Sequence, residues 1–279
     1  GLFFYQFIFM YLLKLFIFSI IHCIVTPLLQ VKQHHELFVS LLKRDFYTRT
    51  SGTLFGVAWL ILQPALQIAA LWFLFQVILQ VRFPGIESFI NYFLLGMIPW
   101  LAITEIIMRS TNLYPEFASL FKRNAFPIII LPLLNICLTM IIYTVVYVLC
   151  VGILEGTDKM FPALLIMLTL ALFMLPVSII ISVLSVFFKD IAQALPFILT
   201  MGLYLSPILY APQMIPAEYQ HYLIFNPVAD FMALIHFNLQ QLPPVVDGFM
   251  TRLLLEWLLL LAPAWLLFNR AEKHIREVL

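Results

Sequence analysis

Six long apolar runs, separated by connections that are alternately rich and poor in lysine and arginine, constrain this chain more than any other feature. Lys43, Arg44, Arg49, Lys122, Arg123, Arg270, Lys273 and Arg276 gather in alternate connections, while no lysine or arginine lies between Lys189 and Arg252. A chain of 279 residues that is 63% hydrophobic and only 10% charged lacks the charged exterior, roughly a quarter of all residues, that a water-soluble domain needs. The reading is an all-α polytopic membrane protein. A hydrocarbon core about 30 Å thick takes roughly 20 apolar residues per helix, which predicts six transmembrane helices near Leu54 to Leu79, Ile90 to Met108, Phe126 to Leu154, Met160 to Phe188, Ala194 to Tyr210 and Phe249 to Phe268.

Lysine and arginine set the orientation. The stretches 31–52, 109–125, 189–193 and 270–279 hold four, three, one and three of them, against one each in 80–89, 155–159 and 211–252. Basic connections stay in the cytoplasm, so the segment before the first span and the C-terminal tail both face inward. The net charge of +1 carries less information than this local bias, and nothing in the pattern points to nucleic acid. Cys23, Cys137 and Cys150 all fall in apolar runs, which argues against a disulfide framework or a thiolate metal site.

Three segments outside the spans carry further signals. Residues 1–30 form an apolar, aromatic-rich N-terminal extension, interrupted by Lys14 and His22, that reads as a further helix, an interfacial helix or a translated upstream region. It has no signal-peptide cleavage pattern. Within 31–52, Leu37, Phe38, Leu41, Leu42 and Phe46 recur at helical spacing over His35 to Thr50, with Glu36, Lys43, Arg44 and Arg49 on other faces. That is an amphipathic interface helix whose basic residues meet anionic headgroups; a plain positive-inside anchor explains the pattern equally well. In the connection 112–125, Pro115 and Glu116 suit the start of a short helix and Lys122 and Arg123 its end. Leu120 and Phe121 are then candidates for insertion into a soluble partner, against the plainer reading of a loop with a charged rim.

The connection from 205 to 250 is broken by Pro207, Pro212, Pro216, Pro227, Pro243 and Pro244, yet it is too apolar for an ordinary external loop. A seventh crossing would put the basic tail outside, so the reading is a pair of short re-entrant helices over 205–240, split near Asn226-Pro227. Irregular backbone at that depth must be buried in protein or line an aqueous cavity.

Little enzyme chemistry remains. The chain has no GxxxxGK[ST] loop to hold nucleotide phosphates and no HExxH or CxxC pair. His34 and His35 read as headgroup neighbours, and His221 and His236 as hydrogen-bonded structural histidines. Glu105 and Arg109, four apart near the end of the second span, are placed to neutralise each other as an intramembrane pair; Arg252 and Glu256 offer a second such pair. Aromatics make up 15% of the chain. Trp59, Tyr92, Trp100, Tyr204 and Tyr210 suit either an interfacial belt or a channel whose aromatic faces stack on sugars.

LLKRDFYTRTSGTLFGVAWLILQPAL (41–66), NYFLLGMIPW (91–100), FKRNAFPIIILPL (121–133), SPILYAPQMIP (206–216) and FNPVADFM (225–232) together resemble the type-2 ABC transporter permeases that export polysaccharides. Arg49, Gly56, Trp59 and Pro64 fit the entry segment of that family, and the resemblance runs over roughly residues 35 to 279. It implies a homodimer in the bacterial cytoplasmic membrane, joined to two copies of a separate subunit that binds ATP and magnesium, with no cofactor in this chain. The cargo would be lipid-linked O antigen, teichoic acid or capsule. By this resemblance residues 53–279 are the ABC-2 transmembrane domain and helix 35–50 is the gate, with Lys43, Arg44 or Arg49 meeting the lipid headgroup. The 113–123 loop, through Pro115, Glu116, Leu120 and Phe121, couples to the ATPase, and 205–240 forms an outer gate. The extension 1–30 departs from the family pattern. Two other readings are a proton-coupled flippase acting alone and an integral-membrane glycosyl or acyl transferase; the first lacks an unpaired mid-membrane carboxylate and the second a constellation of catalytic groups.

Overall fold

The computed structural model describes residues 24–278 apart from residues 53, 82, 84, 85, 87 and 122–125. The sequence readings for residues 1–23, and for Lys122 and Arg123, fall outside the described residues. Helices supply all the regular structure that is described, as a bilayer demands of backbone it cannot hydrate.

Two helices come first: α1, Thr26–Gln33, and α2, His35–Thr50, parted by a break at His34. A 3-10 turn, Gly56–Ala58, leads into α3, Trp59–Trp72, which continues as a π-helical segment, Phe73–Ile78. Then follow α4, Phe89–Ser110; two single-turn helices, α5, Leu113–Glu116, and α6, Ala118–Phe121; α7, Ile130–Leu154; α8, Met160–Phe187; α9, Asp190–Leu205; α10, Pro227–Gln240; and α11, Phe249–Val278.

Among the described residues, five helical stretches are long and apolar enough to cross a bilayer: Gly56–Ile78, Phe89–Ser110, Ile130–Leu154, Thr157–Phe187 and Phe249–Val278. The sixth expected span is shorter. Helix α9 has 16 residues, about 24 Å at 1.5 Å per residue, and it lies four residues earlier than the apolar run suggests. Asp190 in its first turn favours the positive helix end, and Ser206, extended before Pro207, stops it because a residue preceding proline is pushed out of the α region. Two further boundaries differ from the sequence reading. The third span begins at Ile130 rather than Phe126, and the last helix runs on from Phe268 to Val278, so the basic tail is helical.

Helix α4 is the centre of the bundle, with 67% of its most apolar window buried. It packs on α7 and α8, α8 packs on α7 and α11, and α3 leans on the outside of α4. A stripe of small polar groups ties the middle together. The Ser110 and Ser178 hydroxyls lie 2.8 Å apart, and Asn135 Nδ2 donates to the Ile106 carbonyl at 3.1 Å and to Ser110 Oγ at 3.2 Å. Close approach of α9 depends on Gly202, where a Cβ would come within 2.9 Å of the Trp100 ring. The α7–α8 turn depends on Gly156 at φ +106°, a conformation strained for any other residue.

The helices alternate in direction, so the connections segregate to two ends. The basic end holds α2, α5, α6, the start of α7 and the last turn of α11, where Arg276 Nη2 donates to the Phe126 carbonyl at 2.7 Å. At the opposite end lie the α7–α8 turn, the irregular stretch 206–226 and α10. Asn226 caps α10 by accepting from the Val228 N–H, with Pro227 at the first helical position. Gln241 in the left-handed region ends it.

Candidate functional site

Helix α2 lies against the basic ends of α4 and α7, and one stripe of its surface decides how. Phe38 and Leu41 on this stripe are buried, and the next positions at helical spacing are Asp45 and Arg49. The apolar stripe therefore ends in a buried ion pair. Asp45 Oδ2 accepts from Arg49 Nη2 at 2.9 Å and Nε at 3.2 Å, and Asp45 Oδ1 accepts from Arg109 Nη2 at 2.5 Å. The Nη1 of Arg49 donates to Glu105 Oε1 at 2.7 Å and to Thr139 Oγ1 at 3.2 Å. Two guanidiniums and two carboxylates thus cancel in charge and join α2 to α4 and α7.

This arrangement corrects the expected local pair: Glu105 and Arg109 both reach across to α2, binding Arg49 and Asp45, instead of neutralising each other. A buried charge gains most from a partner that also satisfies its remaining hydrogen bonds, and Arg49 and Asp45 offer both. Arg49 is corrected too. Its side chain is 3% exposed, so it faces the bundle and is not offered to a headgroup. Burial, then repulsion from Arg109, push its pKa down from the usual arginine value, and Asp45 and Glu105 push back. Lys43 and Arg44 are exposed; the Arg44 guanidinium stands 5.5 Å from the centre of the Phe117 ring, a cation–π distance.

That contact links α2 to the connection after α4. There Leu113, Tyr114, Phe117 and Phe121 are buried while Asn112, Pro115, Glu116 and Ser119 are exposed. Phe121, expected to reach into a partner, packs instead near Tyr114 and Phe126, each with ring centres 6.2 Å away, and Leu120 is half-buried against the core. Only Pro115 and Glu116 of the four expected coupling residues present themselves outward.

The expected channel aromatics do not converge. Trp100 is buried against Gly202, Trp59 meets Phe55 edge-on at 5.5 Å, and Tyr204 is exposed. Tyr92 and Tyr210 do come together. The buried Tyr92 hydroxyl donates to the Pro207 carbonyl at 3.0 Å and lies 3.4 Å from that of Tyr210, whose own hydroxyl donates to the Leu205 carbonyl at 2.9 Å.

A second polar cluster surrounds Tyr92 at the opposite end. Glu155 Oε1 accepts from Asn91 Nδ2 at 3.2 Å and from Gln240 Nε2 at 2.9 Å, and Gln240 Oε1 lies 3.0 Å from His236 Nδ1. The His236 ring stacks on Tyr92 with centres 3.8 Å apart and planes within 3°. Nearby, Asp230 takes Arg252 in a two-pronged grip, 2.6 and 2.8 Å, replacing the expected Arg252–Glu256 pair and holding α11 to α10.

Five membrane-length helices among the described residues, a half-buried basic helix and a short exposed loop agree with what comparison finds: the model of the ABC-2 type transporter family matches residues 36–239. The chain belongs to the ABC-2 type transporter family. As an ABC-2 permease it is a multi-pass transport component, and the family works with an ATP-binding subunit. Among its relatives are the O-antigen export system permease protein RfbA of Klebsiella pneumoniae, 26% identical over 203 residues that cover 71% of this chain and 77% of the relative, and RfbA of Myxococcus xanthus, 25% identical over 215 residues covering 73% and 80%. The polysialic acid transport protein KpsM of Escherichia coli is 27% identical over 201 residues covering 70% and 78%. The matched region takes in α2, the ion-pair cluster and α10. Asp45 and the Tyr92–His236 stack are the parts of this ABC-2 permease that the sequence reading missed; Asp45 was signalled by its i,i+4 spacing to Arg49 on the Phe38–Leu41 stripe.

Proposed function

We propose that this chain is the membrane half of an ATP-driven exporter that moves lipid-linked polysaccharide, O antigen in the first instance, across the bacterial cytoplasmic membrane. Two copies would form the conduit, and two copies of a separate subunit would bind ATP and magnesium. The observation that carries the reading is similarity over 201 to 215 residues to permeases named for two different glycans, O antigen and polysialic acid. In this reading α9 is the fifth of six crossings, spanning by local thinning of the bilayer. The basic end faces the cytoplasm, and 205–240 dips into the outer leaflet as a gate.

The mechanism follows from the contacts at the basic end. The ATP-binding subunit presses on the exposed Pro115–Glu116 turn. Phe117 carries the displacement to Arg44, and the Asp45–Arg109 and Arg49–Glu105 pairs make α2 move together with α4. A lipid headgroup phosphate approaches the outward face bearing Lys43 and Arg44, while Arg49 acts inside the bundle. The test is deletion of the gene followed by detection of polymer at the cell surface. Loss of surface polymer with lipid-linked polymer retained inside, reversed by the wild-type gene and dependent on a co-purifying ATPase, is the expected result. Unchanged surface polymer refutes the export reading, as does transport by vesicles containing this chain alone without nucleotide.

A further inference from the structure

The polar cluster around Tyr92 fixes the state of a histidine. Glu155 accepts from both Asn91 and Gln240, and a carboxylate can only accept, so Gln240 turns its NH2 toward Glu155 and its oxygen toward His236. His236 Nδ1 must then carry the hydrogen, which leaves the lone pair on Nε2. That atom is buried and has no partner among the described residues, although His236 as a residue is 5% exposed. It lines a small recess of about 40 Å³ shared with Tyr92, Pro212, Gln213, Pro243 and Pro244, room for a few waters.

The described residues around the ring come from several elements. From α4 it meets the face of neutral Tyr92, on which Phe83 packs edge-on; from the stretch 206–214, Pro212 and Gln213; from 242–245, apolar residues and two prolines. From the α7–α8 turn, Glu155 reaches it only through the Gln240 amide, and Lys159 lies 3.5 Å from the Asn238 carbonyl. On its own helix Asp230 is committed to Arg252. A second proton would therefore create an imidazolium facing a recess with no carboxylate among the described residues that line it. Tyr92 stacking offsets part of that penalty, but burial dominates.

We propose that His236 is a proton-responsive positioning residue of this end: neutral and oriented by Gln240 on its own helix, it holds α10 against Tyr92 of α4, and protonated it leaves the recess and frees α10 from α4. The proposal rests on the export reading only in that this end must open for cargo. Burial lowers the closed-state pKa to about 4, against about 6.5 for a hydrated histidine. A depressed histidine pKa means that the closed form is fully favoured above pH 6.5 and loses ground as pH falls toward 4. The closed-to-open ratio drops about tenfold between pH 7.5 and 5.5, and about seventyfold by pH 4.5.

Spin labels at Phe237→Cys on α10 and Ile153→Cys at the end of α7, both exposed sites, test this in the full-length chain with its ATP-binding subunit in lipid nanodiscs, native cysteines replaced. The expected result is a single short distance at pH 7.5, with a longer population growing as pH falls to 4.5. His236→Gln should keep the short distance at every pH. Gln213→Glu, which places a carboxylate in the recess, should also abolish the response. No lengthening in the parent down to pH 4.5, or an equal response in either variant, overturns the proposal. The distances are read without cargo, so failure here leaves the export reading standing, and failure of export leaves the latch measurable.

Discussion

Asp45→Asn isolates the cluster that docks α2. The Asp45 side chain is 1% exposed and receives both Arg49 and Arg109; asparagine keeps the shape but removes one of two negative charges. Arg49, 3% exposed, is then left with Glu105 alone, whereas Arg109, 26% exposed, can turn to solvent. Removing one partner of a fully buried pair costs about 3–5 kcal/mol. Because Arg109 and Glu105 are each about a quarter exposed, screening reduces this to roughly 2–3 kcal/mol. At 1.4 kcal/mol per factor of ten, the ratio of docked to undocked α2 falls by about 30- to 150-fold. Trypsin reads this directly, since Lys43 and Arg44 are cut faster when α2 detaches and the cleavage rate follows the undocked population. Adding Arg49→Gln to Asp45→Asn removes the stranded charge and should recover most of the protection. Parent-like cleavage in Asp45→Asn, or strict additivity of the two substitutions, refutes the reasoning.

Glu116→Lys, on the exposed turn, should uncouple ATP hydrolysis from export with no shift in Tm, measured as ATPase activity against polymer secreted. Phe121→Ala should instead destabilise the fold by about 3–5 kcal/mol, seen as a lower Tm by fluorescence-detected size exclusion; equal Tm values would mean that Phe121 is not packed inside. Lys43→Glu with Arg44→Glu should impair export while leaving insertion intact, because these residues and not Arg49 form the outward basic face. Gly202→Val should destabilise the fold by roughly 1–3 kcal/mol through overpacking against Trp100, seen as a lower Tm, and Trp100→Phe in the same chain should restore part of it.

The long helices were legible because hydrophobicity over 20 residues is a local property, and most of their ends were read to within a few residues; the last helix runs ten residues past the apolar run because its tail is helical but polar. Ser206 before Pro207 moved the end of α9, and no hydropathy signal contains that. The charges were harder. An i,i+4 rule pairs Glu105 with Arg109 on paper, yet their partners lie on α2, 56 and 64 positions away in the chain, and only the packing of α2 brings them near. Asp45 was nonetheless visible as an acid on an otherwise apolar stripe, where it needs a buried cation. Phe121 misled because an aromatic beside Lys122 reads as an exposed anchor, whereas the fold turns it toward Tyr114. His236 could be read as structural, but its tautomer depends on Glu155, which sequence does not connect to it.

The Arg276 bond to the Phe126 carbonyl joins positions 150 residues apart. At translation speeds of about 5–20 residues per second, a ribosome delivers the second partner roughly 8–30 s after the first. Through that interval the Phe126 carbonyl lacks the donor it meets in the folded chain, so any product that stops short of Arg276 leaves the approach to the third span without this tie.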